Sequence, residues 1–308
     1  MEIKQLRTFQ TVAQTLSFSK AAQLLNFAQS SISDQIKSLE NELDCKLFER
    51  LGRSITLTEE GKRLIDYANQ IIRLSDEALQ FTKRNETPSG TLTIATAETL
   101  GVYLLPKLFT KYAELYPDVK LKVIVGKCEE FEEWLKSNKV DMAYTFDYNV
   151  EQQEFNAHII DQIPLVLISN EDHYPKTKKK TNLFELNGKN LILTQKECSY
   201  RSLLEELLKS VHVVPKSIMA MESIEAIKQY VKLGYGVSFL PQIAVEKELE
   251  TGEVLAWDYK GFQYTSTAQY IWHKDKWQSP ALSALIELTE EMLNKSSKKE
   301  SIEDVLEM

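Results

Sequence analysis

Residues 18–40, FSKAAQLLNFAQSSISDQIKSLE, predict two short helices joined by a tight turn. Apolar residues recur at helical intervals on both sides of the turn, in residues 21–25 and again at Ile32 and Ile36. The second helix carries small polar side chains on its other face, and such groups hydrogen-bond to phosphates and base edges. The pattern is typical of a helix-turn-helix whose second helix enters a DNA major groove. Taken alone, it fits an ordinary helical hairpin with a polar outer face equally well.

The flanking sequence favours the DNA-binding interpretation. An apolar stripe in residues 6–13 predicts a preceding helix that can cover the pair. Residues 46–61, KLFERLGRSITLTEEG, predict a two-stranded hairpin with Arg50 and Arg53 at its tip. Two guanidinium groups there would contact phosphate or enter a minor groove. A hairpin in this position is a wing, so residues 1–61 predict an all-α winged helix-turn-helix domain.

The expected DNA contacts are polar or basic side chains of the two helices and the wing. They are Ser19, Gln29, Ser30, Ser31, Ser33, Gln35, Lys37, Arg50 and Arg53. Asp34 lies among them, and its carboxylate would be repelled by DNA unless it accepts from a cytosine amine or pairs with Lys37.

The overall charge is acidic, but the excess lies outside the predicted DNA-binding domain. The 308-residue chain has a formal net charge of −8, whereas residues 1–62 hold eight basic and eight acidic residues. We therefore expect modest non-specific affinity for double-stranded DNA. Specific affinity should come from a few placed contacts and from the avidity of a dimer.

Residues 58–84 predict one long helix with a heptad seam. Its apolar positions are separated by alternating steps of three and four residues and are Leu64, Tyr67, Ile71, Leu74, Ala78 and Phe81. Because such spacing is typical of paired helices, we expect a homodimer through this seam. The other interpretation is a helix that lies on the core of its own domain. Residues 85–90, NETPSG, then predict a hinge.

The remainder of the chain alternates strand-like and helix-like segments, which predicts an α/β body with mostly parallel strands. Strands are expected at 91–97, 121–125, 142–146, 164–169, 190–194, 217–220, 237–240 and 268–272. Residues 297–308 are charged and poor in apolar side chains, so we expect a flexible tail.

Ligand-binding side chains are expected where strands of this body end and helices begin. Those positions hold Glu98, Thr99, Thr145, Gln195, Ser199, Arg201 and Ser223. Other roles remain open, because Thr99 and Ser223 would serve as helix caps and Arg201 would pair with Glu205. The hydroxyl and backbone amide groups, with Arg201, favour a small organic acid, whereas Glu98 favours a cation, a zwitterion or a hydrogen-bond donor.

The cysteine and histidine residues indicate no metal site or disulfide framework. Cys45, Cys128 and Cys198 are far apart and odd in number, and no cofactor is expected. Cys198 precedes a predicted helix near Arg201, a setting that lowers a thiol pKa, so redox sensing through Cys198 is an alternative mode of regulation. No apolar run has the length of a signal core or a membrane span, which predicts a cytoplasmic protein without membrane contact.

Residues 1–61 resemble the DNA-binding end of the LysR-type transcriptional regulators, in the segments LRTFQTVAQTLSFSKAAQLL, QSSISDQIKSLENEL, LFER and LTEEG. The resemblance implies that residues 91–296 form a two-lobed effector domain like a periplasmic binding protein. Lobe I would comprise about 91–162 and 268–296, and lobe II about 163–267. The resemblance also implies tetramers and contact with RNA polymerase. We expect a transcription regulator controlled by a small-molecule effector; the alternative, an enzyme with a DNA-tethering module, lacks any recognisable catalytic motif.

Overall fold

The structure, a computed structural model, describes residues 1–51, 54–82, 87–147, 154–175, 182–258 and 264–293. At residues 50, 51, 54, 77 and 79–82 it describes the backbone alone. The chain divides into two compact units, Met1–Thr87 with Ser137–Lys139, and Pro88–Lys136 with Val140–Met308. This division falls within the predicted hinge, residues 85–90, of which 85 and 86 lie outside the described residues. The predicted tail, 297–308, also lies outside them.

The N-terminal unit confirms the winged helix-turn-helix. Its elements are α1 (Ile3–Thr15), α2 (Phe18–Leu25), α3 (Gln29–Glu42), β1 (Phe48–Leu51) and β2 (Ser54–Leu57). Strands β1 and β2 pair antiparallel, with Phe48 opposite Leu57. Leu6, Phe9 and Ile32 are among the side chains that fill a single core beneath the three helices. The apolar stripes of the sequence are therefore the buried faces of these helices, with the exception of Leu24, which is 67% exposed because it lies on the outer side of α2.

A long helix, α4 (Glu59–Thr82), follows the wing. The Thr58 hydroxyl caps it by accepting the Gly61 backbone N–H at 2.9 Å. Gly61 is required because a Cβ atom there would lie 2.2 Å from the Leu47 carbonyl oxygen. Ala68 and Ile72 are buried against the core of the N-terminal unit.

The C-terminal unit begins with β3 (Gly90–Thr96) and ends with α10 (Pro280–Leu293). Between them lie α5 (Pro106–Leu115), β4 (Val119–Val125), α6 (Cys128–Lys136), β5 (Met142–Phe146), β6 (Phe155–Ser169), β7 (Asn190–Leu193), α7 (Ser199–Ser210), β8 (Ser217–Ala220), α8 (Ile224–Lys232), β9 (Ser238–Pro241), α9 (Glu246–Glu250), β10 (Leu255–Ala256) and β11 (Tyr264–His273). A π-helical turn at Leu100–Leu104 precedes α5.

The expectation of mostly parallel strands is wrong for this unit. Strand β3 pairs parallel to β4 and β5, and β7 pairs parallel to β8. Strand β6 instead pairs antiparallel to β9, β10 and β11, and β11 is also antiparallel to β5. The physical reason is that β6 and β11 are long strands that run in opposite directions through the unit, side by side from Phe155 to Leu165.

Among the described residues of this unit, three hydrophobic cores lie along these long strands, and the smallest surrounds Phe131 and Leu135 of α6. The two larger cores define its halves. One core combines side chains between Leu92 and Ile163 with side chains between Ala268 and Leu288. The other is built from side chains between Leu165 and Trp257. Along β6, Ile163 packs in the first of these cores and Leu165 packs in the second. The unit is thus a mixed α/β body of two halves that share a central pair of strands, and one half is made of two separate stretches of the chain.

Candidate DNA interface and effector cavity

Helix α3 presents its polar face to solvent because its apolar face is used by the core. Ile32, Ile36 and Leu39 are fully buried, and the turn before the helix uses Asn26 in a left-handed conformation with φ of 55°. The predicted contact residues differ in exposure. Gln29, Ser30 and Lys37 are exposed, as is Ser19 on α2, whereas Ser31, Ser33 and Gln35 are half-buried.

Three of the predicted contact residues, Gln35, Ser19 and Gln29, already hold side-chain hydrogen bonds within the domain. Gln35 accepts from the buried Thr8 hydroxyl at 2.8 Å, which turns its carbonyl oxygen inward. The Ser19 hydroxyl donates to the Gln29 side-chain oxygen at 3.0 Å. Asp34 is exposed and makes no ion pair with Lys37, although both side chains are described. Local pairing with Lys37 therefore does not account for Asp34.

The sequence interpretation missed Glu40, a buried carboxylate that joins the recognition helix to the wing. Its side chain accepts the Leu47 backbone N–H at 3.0 Å and pairs with the Lys46 ammonium at 2.9 Å. Glu40 lies on the same buried face of α3 as Ile36 and Leu39, and this spacing was the signal in the sequence that Glu40 is buried. Its partners became visible only when the wing was folded against α3. Arg50 lies in β1 without a described side chain, and Arg53 lies outside the described residues.

The predicted seam of α4 divides between two surfaces. Leu64 and Ile71 are half-buried and pack against the core of their own unit, as the alternative interpretation required. Tyr67 and Leu74 are 63% and 57% exposed, and Ala78 is also exposed. The side chain of Phe81 is not described. An apolar strip of Tyr67, Leu74 and Ala78 thus lacks a partner within the described part of this unit.

A cavity of about 260 Å³ lies in the C-terminal unit, between side chains that belong to its two cores. We call it the inter-core cavity; its lining residues are 97–99, 125–128, 146, 194, 195, 197–200, 222 and 224. Four of the predicted ligand residues line it, namely Glu98, Thr99, Gln195 and Ser199. The carboxyl ends of β3 and β7 and the beginning of α7 bring them together. Their contact with a ligand stays a prediction.

The other three predicted residues do not line the cavity. Arg201 is buried, pairs with Glu205 at 2.9 Å and donates to the Thr194 carbonyl oxygen. Ser223 caps α8 by accepting the Ala226 N–H at 3.4 Å. Thr145 is buried in β5. The reason is geometric: Arg201 is held by Glu205 and Thr194, Ser223 is held by the first turn of α8, and Thr145 is buried within β5.

Hydrogen bonds cross this cavity region between the two halves of the unit. Asp147, which follows β5, accepts from the Ser199 hydroxyl at 2.7 Å and from the Thr267 backbone N–H at 2.6 Å. The Tyr103 hydroxyl, in the π-helical turn, donates to Glu225 on α8 at 2.5 Å. The beginnings of α7 and α8 are therefore each tied to the opposite half by a carboxylate.

The pKa of the Cys198 thiol differs in direction from the one that the redox hypothesis assumes. Burial raises the pKa of the Cys198 thiol, and the nearby Cys128 raises it further. The lowered pKa expected beside Arg201 is wrong, because Arg201 is engaged by Thr194 and Glu205 and the thiol is withdrawn from water. Burial also raises the pKa of Glu98, with Glu225 adding to the rise and the Ile224 backbone N–H opposing it.

Among the described residues, no group of three His, Cys, Asp or Glu side chains could hold a metal ion. Within the same part of the chain, no helix is both long and apolar enough to cross a membrane.

Comparison with known proteins gives two family matches. Residues 3–62 match the model of the bacterial regulatory helix-turn-helix protein, lysR family, and residues 85–294 match that of the LysR substrate binding domain. Among curated relatives, the uncharacterized HTH-type transcriptional regulator YwqM of Bacillus subtilis is 37% identical over 94% of this chain and 98% of its own. The HTH-type transcriptional regulator CzcR of Bacillus anthracis is 33% identical with the same coverage.

Solved structures share the fold. Full-length CbnR in complex with its target DNA is 22% identical, with a TM-score of 0.71 over 94% of this chain and 99% of that one. A full-length OxyR variant from Pseudomonas aeruginosa is 22% identical, with a TM-score of 0.70 over 94% of both chains.

Proposed function

Because this chain belongs to the LysR family of transcriptional regulators, we propose that helix α3 enters the DNA major groove with Gln29, Ser30 and Lys37 foremost. The protein is a DNA-binding transcription regulator with an effector-binding domain. One observation carries the proposal: α3 exposes its polar face to solvent, while the apolar residues on its opposite face are fully buried. Ser31 and Ser33 would contact the groove wall, and Arg50 and Arg53 would hold phosphate or the minor groove.

Gln35 and Ser19 take different parts in this proposal. The Gln35 carbonyl oxygen is occupied by Thr8, so only its amide N–H groups remain for DNA. Ser19 would orient Gln29 through its hydrogen bond and contact phosphate from α2. The Asp34 carboxylate, which is exposed and unpaired by Lys37, would accept from a cytosine amine.

The regulator would act as a homodimer, with two copies of α3 reading two half-sites. The exposed apolar strip Tyr67, Leu74 and Ala78 supports pairing through α4, because an isolated apolar strip on a helix is stabilised by a second copy. Tetramers and contact with RNA polymerase would follow the family pattern. A location in the cytoplasm follows from a chromosomal DNA target.

The effector would bind in the inter-core cavity and change the DNA-binding assembly. Polar groups converge on the cavity, and hydrogen bonds join its two sides. A ligand that binds one arrangement of the two halves more tightly than another shifts the equilibrium between these arrangements. The proposed domains are 1–61 for DNA binding, 58–84 for the linker helix, 85–90 for the hinge and 91–296 for effector binding. The lobes would exchange near Gln162 and near 265–268.

The test is DNA affinity in variants of the full chain. Duplexes selected from a random library by the wild-type protein serve as probes. Ser30→Ala and Lys37→Ala should each weaken binding by roughly fivefold to a hundredfold, while Ser210→Ala, on the exposed end of α7, should leave it unchanged. Only Lys37→Ala should reduce the salt dependence of binding if Lys37 contacts a phosphate. Equal affinity of all three variants for the selected duplexes would contradict the proposed docking.

A further inference from the structure

Acidic side chains outnumber basic ones around the inter-core cavity. Of the residues that the structure describes, Glu98, Glu197 and Glu222 line it, and Lys127 is the one basic residue that does. Glu197, Glu222 and Lys127 are exposed residues whose charges are screened by water. Glu98 is half-buried, so its charge acts at closer range and in a less polar environment.

Within the part of the chain that the structure describes, Glu98 lacks a cationic partner. Among the described residues, no Lys, Arg or His side chain forms an ion pair with Glu98, and the charged neighbour that influences its pKa is another carboxylate, Glu225. A partly desolvated carboxylate beside a like charge is stabilised by any positive group that reaches it.

The chain's own carboxylates already occupy the groups at which an anion would bind. The Ile224 backbone N–H at the beginning of α8 lowers the pKa of Glu98 and so favours its charged form, and the Ser199 hydroxyl at the beginning of α7 donates to Asp147 at 2.7 Å. Helix N-termini attract negative charge, and here that position is filled from the opposite half of the unit. An anionic ligand would have to displace a carboxylate of the protein.

The remaining wall offers a hydrogen bond and an apolar surface. Thr194 is 6% exposed, and its hydroxyl lies beside Cys198 and Tyr200 without a hydrogen bond of normal geometry to either. A buried hydroxyl in this state gains from a ligand group that pairs with it. Phe146 and Val125 supply apolar surface to the same cavity.

On the premise that this cavity is the effector site of the proposed function, we propose that its ligand carries a cationic group that pairs with Glu98. The ligand's compact apolar body packs beside Phe146, and a polar atom on that body meets the Thr194 hydroxyl. The expected ligands are therefore amines or amidines and not the small organic acids that the hydroxyl-rich strand ends suggested.

The experiment uses three probes of nearly equal shape and different charge: benzamidinium, benzamide and benzoate. Their dissociation constants for the full-length protein are measured by calorimetry. Benzamidinium should bind the wild type most tightly and benzoate least tightly. Glu98→Gln should weaken benzamidinium by about tenfold to a hundredfold and leave benzamide nearly unchanged. Glu250→Gln, an exposed substitution outside the cavity, is the matched control and should change none of the three.

Benzoate binding to the wild type as tightly as benzamidinium would overturn the proposal, and so would benzamidinium binding that is undetectable or indifferent to Glu98→Gln. Cys128→Leu narrows the cavity, and it distinguishes a wrong charge class of ligand from a wrong location of the effector site. If benzoate binds and Cys128→Leu weakens it, the effector site stands and its charge class is wrong. If no probe responds to either cavity substitution while DNA binding persists, the effector site is wrong as well.

Discussion

Glu40 is expected to hold the wing against the recognition helix, and its removal should open that contact. Glu40→Ala deletes a charge-assisted hydrogen bond to the Leu47 N–H, worth about 1.5–3 kcal/mol, and leaves that amide without an acceptor in a fully buried residue. The ion pair with Lys46 adds at most about 1 kcal/mol, because the Lys46 side chain is 70% exposed. Together these contributions lower the local stability by about 2–4 kcal/mol. Glu40→Gln retains an acceptor oxygen, so its cost should be about 1 kcal/mol.

Amide hydrogen exchange of the full-length protein measures this effect where it occurs. Exchange at the Leu47 amide should accelerate by roughly thirtyfold or more in Glu40→Ala and by about tenfold or less in Glu40→Gln. Glu42→Ala, which removes an exposed carboxylate from the same helix, is the control and should change exchange little. DNA affinity should fall in the same order, because the wing loses its fixed direction. Exchange at Leu47 that is equally fast in Glu40→Ala and Glu42→Ala would refute the reasoning.

The remaining predictions concern α4 and the cavity thiol. Gly61→Ala should lower the free energy of unfolding by about 1–3 kcal/mol, although alanine has the better helix propensity, because the added Cβ would lie 2.2 Å from the Leu47 carbonyl oxygen. An unchanged melting temperature would contradict this close packing. Tyr67→Glu combined with Leu74→Glu should convert dimers to monomers in sedimentation, and a dimer that survives would exclude the exposed strip as the interface. Because its pKa is raised, Cys198 should reach its thiolate form at a higher pH than a free cysteine; the pH dependence of alkylation measures this, and a midpoint below neutrality would restore the redox hypothesis.

The N-terminal unit was predictable because its signals are local. The periodicity of residues 18–40 fixed which face of each helix is buried, and Thr58 capped α4 where its position indicated. The role of Glu40 was not predictable, since its partner amide lies in the wing and a glutamate in a helix is ordinarily exposed.

The C-terminal unit was less predictable because its arrangement depends on contacts distant in sequence. Strand β6 was expected from residue 164 and begins at Phe155, since residues 155–163 alternate too weakly to indicate a strand. Its antiparallel pairing with β11 joins segments about a hundred residues apart. Separation in sequence also explains why Glu98 and Ser199 could be predicted at the ends of elements, whereas Asp147, which holds Ser199 from 52 residues away, could not.

Dimethyl sulfate protection of a selected duplex tests the central claim most directly, because the reagent methylates guanine N7 in the major groove and adenine N3 in the minor groove. If α3 enters the major groove, the wild-type protein should protect guanine N7 in two half-sites on one face of the duplex, and Ser30→Ala should weaken that protection. Protection confined to adenine N3, or protection of guanine N7 that is unchanged by every substitution on the exposed face of α3, would contradict the account.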